Sequence, residues 1–495
     1  LIPQFIFGMR NIFICLFVHL FSFQFLAAQT NPAWVSAFTK INQEVQERSQ
    51  AYGQLKIATS QVGHRLTGSA NGKRAEDFAY QLFKSWGFSQ VSFQPFEVES
   101  WSRGTLAVSI GTPGNMLPVK AVTLAHSPVK SIIELPLVDM GNGLEEDYLA
   151  QPEKVKNKIA LVYLGVLPNS KPGTGTLHRS EKTALATKYG AKGIIIINTP
   201  PGGILLTGTA SVTGKLIPIP AVCIGKEDGI KLKEQLLQNP MQANIKMTNQ
   251  SALIKARNVI ATIKGTTLPQ EKIVVGGHLD SWDLATGAID NGIGSFSVLD
   301  MARTFQALKI KPARTIDFVM FMGEEQGLLG SRHYVQEAKK TKSLGKIRYM
   351  LNYDMTNDPK GFSSSTESTK DLFQQIGATI QQVEPNFPNT FRAGAGLHSD
   401  HQPFMLQGIP TGGAAGGSLP NNAGPCYHAD CDDFNLVDEQ GMKNTIRFNA
   451  MLIYALANTA TISARPLSEE ETRLFLIKNK LKEPLQIAGE WRWKD

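Results

Sequence analysis

From residue 257 onward the chain repeats one alternation: short apolar segments followed by stretches with helical periodicity. "NVIATIKG", "KIVVGGH", "TIDFVMFMG" and "IRYMLNYD" are the apolar segments. None shows the polar alternation of a strand with one face in water. Between them, a helix expected from Asn291 sets Ile293, Phe296, Leu299 and Ala302 on one side. Unbroken apolar strands joined through amphipathic helices bury both strand faces in a largely parallel sheet covered on each side. The expected fold class is therefore α/β, a mostly parallel central sheet flanked by helices. A helix over "NTIRFNAMLIYALANTA" closes this unit.

Two other textures precede it. Helix-like segments dominate from about Asn31 to Glu99, where "NGKRAEDFAYQLFKSWGF" places Ala75, Phe78, Ala79, Leu82 and Phe83 on one face. "GHRLTGS", residues 63–69, reads as a polar turn before that helix, and "QVSFQPFEV" as a strand after it. Residues 118–250 form a smaller β-rich unit: "KNKIALVYLG", "AKGIIIINTP" and "IPIPAVCIG" are strands bounded by breakers, with a helix over "EKTALATKYGA". This unit shows no ionisable cluster suited to catalysis. The expected divisions are 1–28, 29–117, 118–250, 251–464 and a partly helical tail, 465–495, that carries no recognisable chemistry. At 495 residues, more than one domain is expected.

Met9 and Arg10 precede "NIFICLFVHLFSFQFLAAQ", which ends in the small residues Ala27 and Ala28. Positive, apolar and small segments in this order form a secretory signal, with Leu1 to Gly8 upstream of the expected start. The apolar run is short against the ~20 residues of a membrane span. The mature protein is thus expected to be secreted or periplasmic, without a stable span. Cys15 lies inside the run instead of at its end, which argues against a lipid-anchored cysteine. Of the remaining cysteines, Cys426 and Cys431 are close enough to pair in an oxidising compartment, and Cys223 reads as a buried strand residue. The net charge of +8 is dispersed, with no arginine-rich arm or zinc-finger spacing, so nucleic acid is not an expected partner.

The chemistry gathers at strand ends. His278 ends one apolar run, Glu324 and Glu325 follow a second, and Asp354 follows a third. Ligands of open α/β sheets bind beyond the carboxyl ends of strands. Asp290, in "GAIDNGIG", stands where a helix N-cap belongs, but its flanking glycines also allow a close backbone approach to a ligand. The adjacent carboxylates Glu324 and Glu325 would repel each other in an empty site, and a divalent cation removes that objection. One can then bind metal while the other moves a proton. His428, in "PCYHADCDDF", would complete a ligand set of two histidines and three carboxylates, one glutamate of the pair being left to move the proton. Imidazole and carboxylate donors suit Zn²⁺ best, with Mn²⁺ or Co²⁺ chemically acceptable.

"HLDSWD", "GAIDNGIG", "GEEQGLLGS", "NYDM" and "YHADCDD", in this order, resemble the co-catalytic di-zinc exopeptidases of the aminopeptidase and glutamate carboxypeptidase family. The β-rich unit resembles an inserted protease-associated (PA) domain. The resemblance implies two Zn²⁺ per chain, with Asp290 bridging them, His278 and Asp354 completing one site, and Glu325 and His428 the other. It also implies Glu324 as general base and Tyr427 as a donor to the oxyanion, with Asp280 accepting the second ring N–H of His278. The metals, about 3.5–4 Å apart, would share a water and polarise the scissile carbonyl of a peptide substrate. Aminopeptidase or dipeptidase action is the first expectation, and carboxypeptidase action the second. Arg392 is a candidate carboxylate partner for that second reading, although a surface position is expected of it. "HSDHQPF", residues 398–404, resembles the stretch lining the substrate end of the pocket, and His398 and His401 carry no assigned ligand role. Glutaminyl cyclisation with one zinc and a non-catalytic binding role are the rival classes. Cys426 and Cys431 bracket His428 outside the general family pattern, either as a disulfide stiffening the ligand loop or as thiols near the metal. A homodimer is left open.

Overall fold

The computed structural model describes residues 32–494, so the expected signal segment and Cys15 lie outside the described residues. Among the described residues, fourteen strands form one sheet. Its centre is parallel: Thr411–Ala415, Ile347–Asn352, Leu268–His278 and Arg314–Phe321 lie side by side in that order. The parallel expectation stops at the flanks, where Gly361–Ser364 and Met241–Ile263 run antiparallel. Phe321 pairs with His278 and Asn352 with Gly276, so three strands leave the sheet at nearly one level. That register is what brings their following residues together.

Both faces of this centre are covered. The helices Ile293–Ala307 and Glu439–Asn458 pack on one face, with three N-terminal helices beyond them, burying Phe296, Phe305 and Phe318 completely. Such side chains contribute roughly 1.5–3 kcal/mol each. Leu329–Lys340 and His401–Met405 cover the other face through Tyr334, Val335 and Phe404.

The β-rich unit continues the same sheet. Gln90–Thr112 and Met241–Ile263 form a long antiparallel ribbon, from Gln90 opposite Thr262 to Gly111 opposite Gln242, with one shift of register between Arg103 and Leu106. The second of these strands joins the central sheet through residues 259–263 and the smaller unit through residues 241–248. Beyond it, Lys130–Asp139, Ile159–Tyr163, Gly193–Ile197 and Ala221–Ile224 follow as parallel neighbours. Alternate side chains of these apolar strands enter two cores, Ile194 and Ile196 on one face, Ile195 and Ile197 on the other. Cys223 is a buried strand residue, as expected.

The tail forms two helices, Glu469–Lys478 and Lys482–Ile487, which bury Leu476, Leu481 and Leu485 against Met405 and Leu406. No helix among the described residues is long and apolar enough to cross a membrane.

Candidate metal centre

The sequence-expected residues converge on one cavity. His278 Nε2 stands 3.3 Å from Asp290 Oδ1 and 3.4 Å from Asp354 Oδ1. His428 Nε2 stands 3.0 Å from Asp290 Oδ2 and 3.1 Å from Glu325 Oε2. Asp290 thus turns one oxygen toward each histidine–carboxylate pair. Two ligands of a tetrahedral zinc, each at 2.0–2.1 Å, lie roughly 3.3–3.4 Å apart. The spacing on the His278 side matches that edge, and the His428 side is slightly tighter. Glu325 Oε1 is buried without a hydrogen-bond partner among the described residues, an oxygen of the same cluster left free to coordinate a cation. His278, Asp290 and Glu325 each bring one ligand atom within 4.8 Å of the others. The residues present fit a shared-carboxylate pair of metal sites. Glu324 lines the same cavity, as do Tyr427 and the cluster itself.

The electrostatics agree with a cation-binding role. Burial disfavours charge on Asp290, but His278 and His428, each bonded to one of its oxygens, outweigh burial and hold its pKa below the carboxylate range. Burial also opposes a charged His278, yet Glu324, Asp354 and the neighbouring aspartates raise it well above an ordinary imidazole. His428 is raised in the same way, with Glu325 opposing the effect of burial. Burial raises Glu324 well above its usual value; His278 works against this, while repulsion from Glu325, Asp354 and Asp400 adds to it. Without metal, bound protons take the place of positive charge that a divalent ion would bring.

A model described as peptidase family M28 matches residues 258–453, and one described as a PA domain matches residues 133–232. The chain carries a peptidase family M28 domain over residues 258–453, with an inserted PA domain. It is a metallo-exopeptidase. Probable leucine aminopeptidase 2 of Aspergillus fumigatus is 27% identical over 429 residues, covering 80% of each chain. Carboxypeptidase Q of Bos taurus is 26% identical over 437 residues, covering 83% of this chain and 86% of its own. The solved structure of a zinc aminopeptidase from Bacillus subtilis superposes with a TM-score of 0.62 at 24% identity, covering 85% of this chain and 98% of that one.

Within the M28 core, local sequence explains how each group is presented. A Cβ on Gly277 would lie 2.5 Å from the Tyr353 carbonyl, so the strands beside His278 approach only because glycine stands there. Asp290 does not cap the helix. The helix begins at Ile293, and Asn291 Oδ1 accepts from Gly294 N at 3.1 Å, which leaves the Asp290 carboxylate free to face the histidines. Asn291 Oδ1 also accepts from Met355 N at 3.0 Å, tying this turn to the Asp354 segment. Asp354 Oδ2 accepts from Ser399 Oγ at 2.6 Å.

Asp280 orients His278 differently from the expectation. The ring Nδ1 lies 3.1 Å from the Asp280 backbone carbonyl and 3.6 Å from its carboxylate. That carboxylate accepts instead from Thr67 Oγ1 at 2.9 Å and Gly323 N at 3.0 Å, bracing the Glu324 turn. "GHRLTGS" is therefore more than a turn. Arg65 is fully buried and donates to the carbonyls of Leu279, Thr286 and Gly287 at 2.6–2.7 Å, fixing the segments on either side of the cluster. Asp432 was also missed; it accepts from Ile289 N at 2.7 Å and Asp290 N at 3.0 Å.

His428 has a left-handed backbone, φ 55°, which costs an L-residue roughly 1–2 kcal/mol. Cys426 and Cys431 are disulfide-bonded around it. Thr207 of the PA domain donates its N–H to the His428 carbonyl at 3.0 Å and offers its own carbonyl to His428 Nδ1 at 3.3 Å. The inserted unit, in which the sequence shows no ionisable cluster suited to catalysis, also lines the cavity with His178, Arg179 and Glu181. His398 stacks on His178, ring centroids 4.6 Å apart, and Arg392 is exposed on an edge strand.

Proposed function

We propose that this M28 enzyme is an exported di-zinc aminopeptidase or dipeptidase. The observation that carries the reading is Asp290, whose two oxygens each face a different histidine–carboxylate pair. In this reading His278 and Asp354 hold one zinc, Glu325 and His428 the other, and Asp290 serves both. A bound metal pair supplies Lewis acidity and an attached water of lowered pKa. Glu324 accepts a proton from the attacking water and delivers it to the leaving amine. The Tyr427 hydroxyl donates to the carbonyl oxygen as negative charge develops there. Asp280 and Asp432 keep His278 and Asp290 in place through the bonds described above. Export is supported by the signal-like N-terminal sequence and by the Cys426–Cys431 disulfide, a bond of oxidising compartments.

Carboxypeptidase action is the second reading, favoured by Arg179. Its guanidinium is buried in the cavity, and its Nε has no hydrogen-bond partner among the described residues. Amino-blocked and carboxy-amidated dipeptides separate the two: an aminopeptidase cleaves only the second kind, a carboxypeptidase only the first. Glu324→Gln should keep two zinc ions per chain by elemental analysis and lose nearly all turnover. Undiminished hydrolysis by that variant would remove Glu324 as the base.

A further inference from the structure

The C-terminal segment has no part in the chemistry proposed above, yet it reaches the catalytic cavity. Pro484, Leu485, Ala488 and Glu490 line that cavity, about 520 Å³, together with the metal cluster. A second cavity of about 1050 Å³ lies on the other side of a partition, where Leu481, Glu483 and Pro484 form part of its wall. Pro484 therefore faces both spaces. The rest of the partition comes from the start of the PA helix Arg179–Lys188 and from Leu397, His398 and Tyr427.

The segment is docked at two ends. Ile487 packs against the PA-domain core, while Leu485 packs with Met405 and Leu406 of the M28 core. Glu490 closes the far end: its two oxygens accept from Arg332 at 2.6 and 2.8 Å, and one also accepts from Gln402 at 3.0 Å. Arg332 in turn donates to the Gly327 carbonyl at 2.9 Å, in the turn that carries Glu324 and Glu325. Both oxygens of Glu490 are thereby occupied, which makes it a latch and leaves it no free charge for a substrate. The rest of the partition is held by the PA helix, by the stacking of His178 on His398 and by the disulfide loop. The tail is the part held on by a few side chains.

We propose that this segment is a length-selecting wall. It ends the catalytic cavity a short distance from the scissile bond and so favours short peptides over long ones; releasing it joins the two cavities and admits longer chains. The inference rests on the exopeptidase reading above. The test is kcat/KM across unblocked peptides from dipeptide to hexapeptide, with zinc content measured on every preparation. Wild-type enzyme should prefer the dipeptide by roughly tenfold or more, the scale on which pocket walls discriminate. Glu490→Ala should flatten that profile by improving the long peptides, and Ala488→Phe, which thickens the wall with the latch intact, should steepen it. Zinc content should match wild type in both. A Glu490→Ala profile identical to wild type would overturn the wall, as would an Ala488→Phe variant that slows all lengths equally. Should Glu490→Ala fail to fold, the Ala488→Phe profile decides alone. A zinc-loaded wild type that cleaves no peptide would instead overturn the exopeptidase reading, and the wall with it.

Discussion

The two halves of the centre are built by different means. His278 and Asp354 follow adjacent parallel strands, so the hydrogen-bond ladder of the sheet sets their separation. Glu325 follows the next strand, but its partner His428 sits on a loop with left-handed backbone, closed by a disulfide and tied to Thr207 of the PA domain. One half is thus a property of the M28 sheet. The other depends on a second domain and a covalent clip, which hold a histidine that the sheet does not reach. The inserted domain is part of the machinery that shapes the site, whatever it contacts elsewhere.

The largest effect should come from erasing the group the halves share. Asp290→Ala should lower zinc content at both sites and reduce kcat/KM by at least roughly a thousandfold. Elemental analysis showing one zinc fully retained would mean that the halves are independent. Next comes Arg65, which braces segments next to both His278 and Asp290. Arg65→Met leaves three carbonyls without their donors and should cost about 3 kcal/mol or more in denaturant unfolding. A loss within the range of ordinary surface substitutions would show that the loops hold their shape without it.

What the sequence discloses follows the same division. His278, Glu324, Glu325 and Asp354 are legible because unbroken apolar runs announce where strands stop. His428 is legible only through its resemblance to a family motif, since nothing periodic places that loop. Arg65 and Thr67 read as a polar turn because a guanidinium bonded to carbonyls is written with the same letter as a solvated one; burial alone tells them apart. Thr207 is less visible still, for its contribution is a backbone N–H and a carbonyl, which no side-chain pattern records. The strand Met241–Ile263 serves two cores in succession, so its pattern changes midway and hides its length. The tail's amphipathic spacing shows that it packs on something, but not that the something is the catalytic cavity.

Acidity should separate the metal-free and metal-loaded proteins. Burial raises Asp400 and Asp432 from an ordinary 3.8 to about 7, and Glu324 and Glu325 are raised as well. His278 and His428 also bind protons more tightly than in an unfolded chain, and Asp290 alone among these groups has the opposite sign. A folded state that binds protons more tightly is favoured at low pH and loses that advantage as pH rises through the folded pKa values. Metal-free protein should therefore lose stability between about pH 4 and pH 7, the interval between the unfolded and folded values of Asp400 and Asp432. Zinc replaces the missing positive charge, so the gain in Tm on adding zinc should be larger at pH 8 than at pH 5. An equal gain at both values would mean that the cluster is not the binding site.

The smallest effect, and the one that tests the contrast most directly, belongs to the disulfide. Replacing Cys426 and Cys431 together by serine opens a loop of a few residues, which by chain entropy costs about 2 kcal/mol. The bond lies next to His428 and away from His278 and Asp354, and Thr207 still holds the ligand by two hydrogen bonds. Affinity should fall by about tenfold at one zinc site, the scale of an outer support, and stay unchanged at the other. Competitive chelation resolves the two sites as separate steps. Equal weakening of both steps would show that the halves communicate through Asp290, and the clip would then support the whole centre.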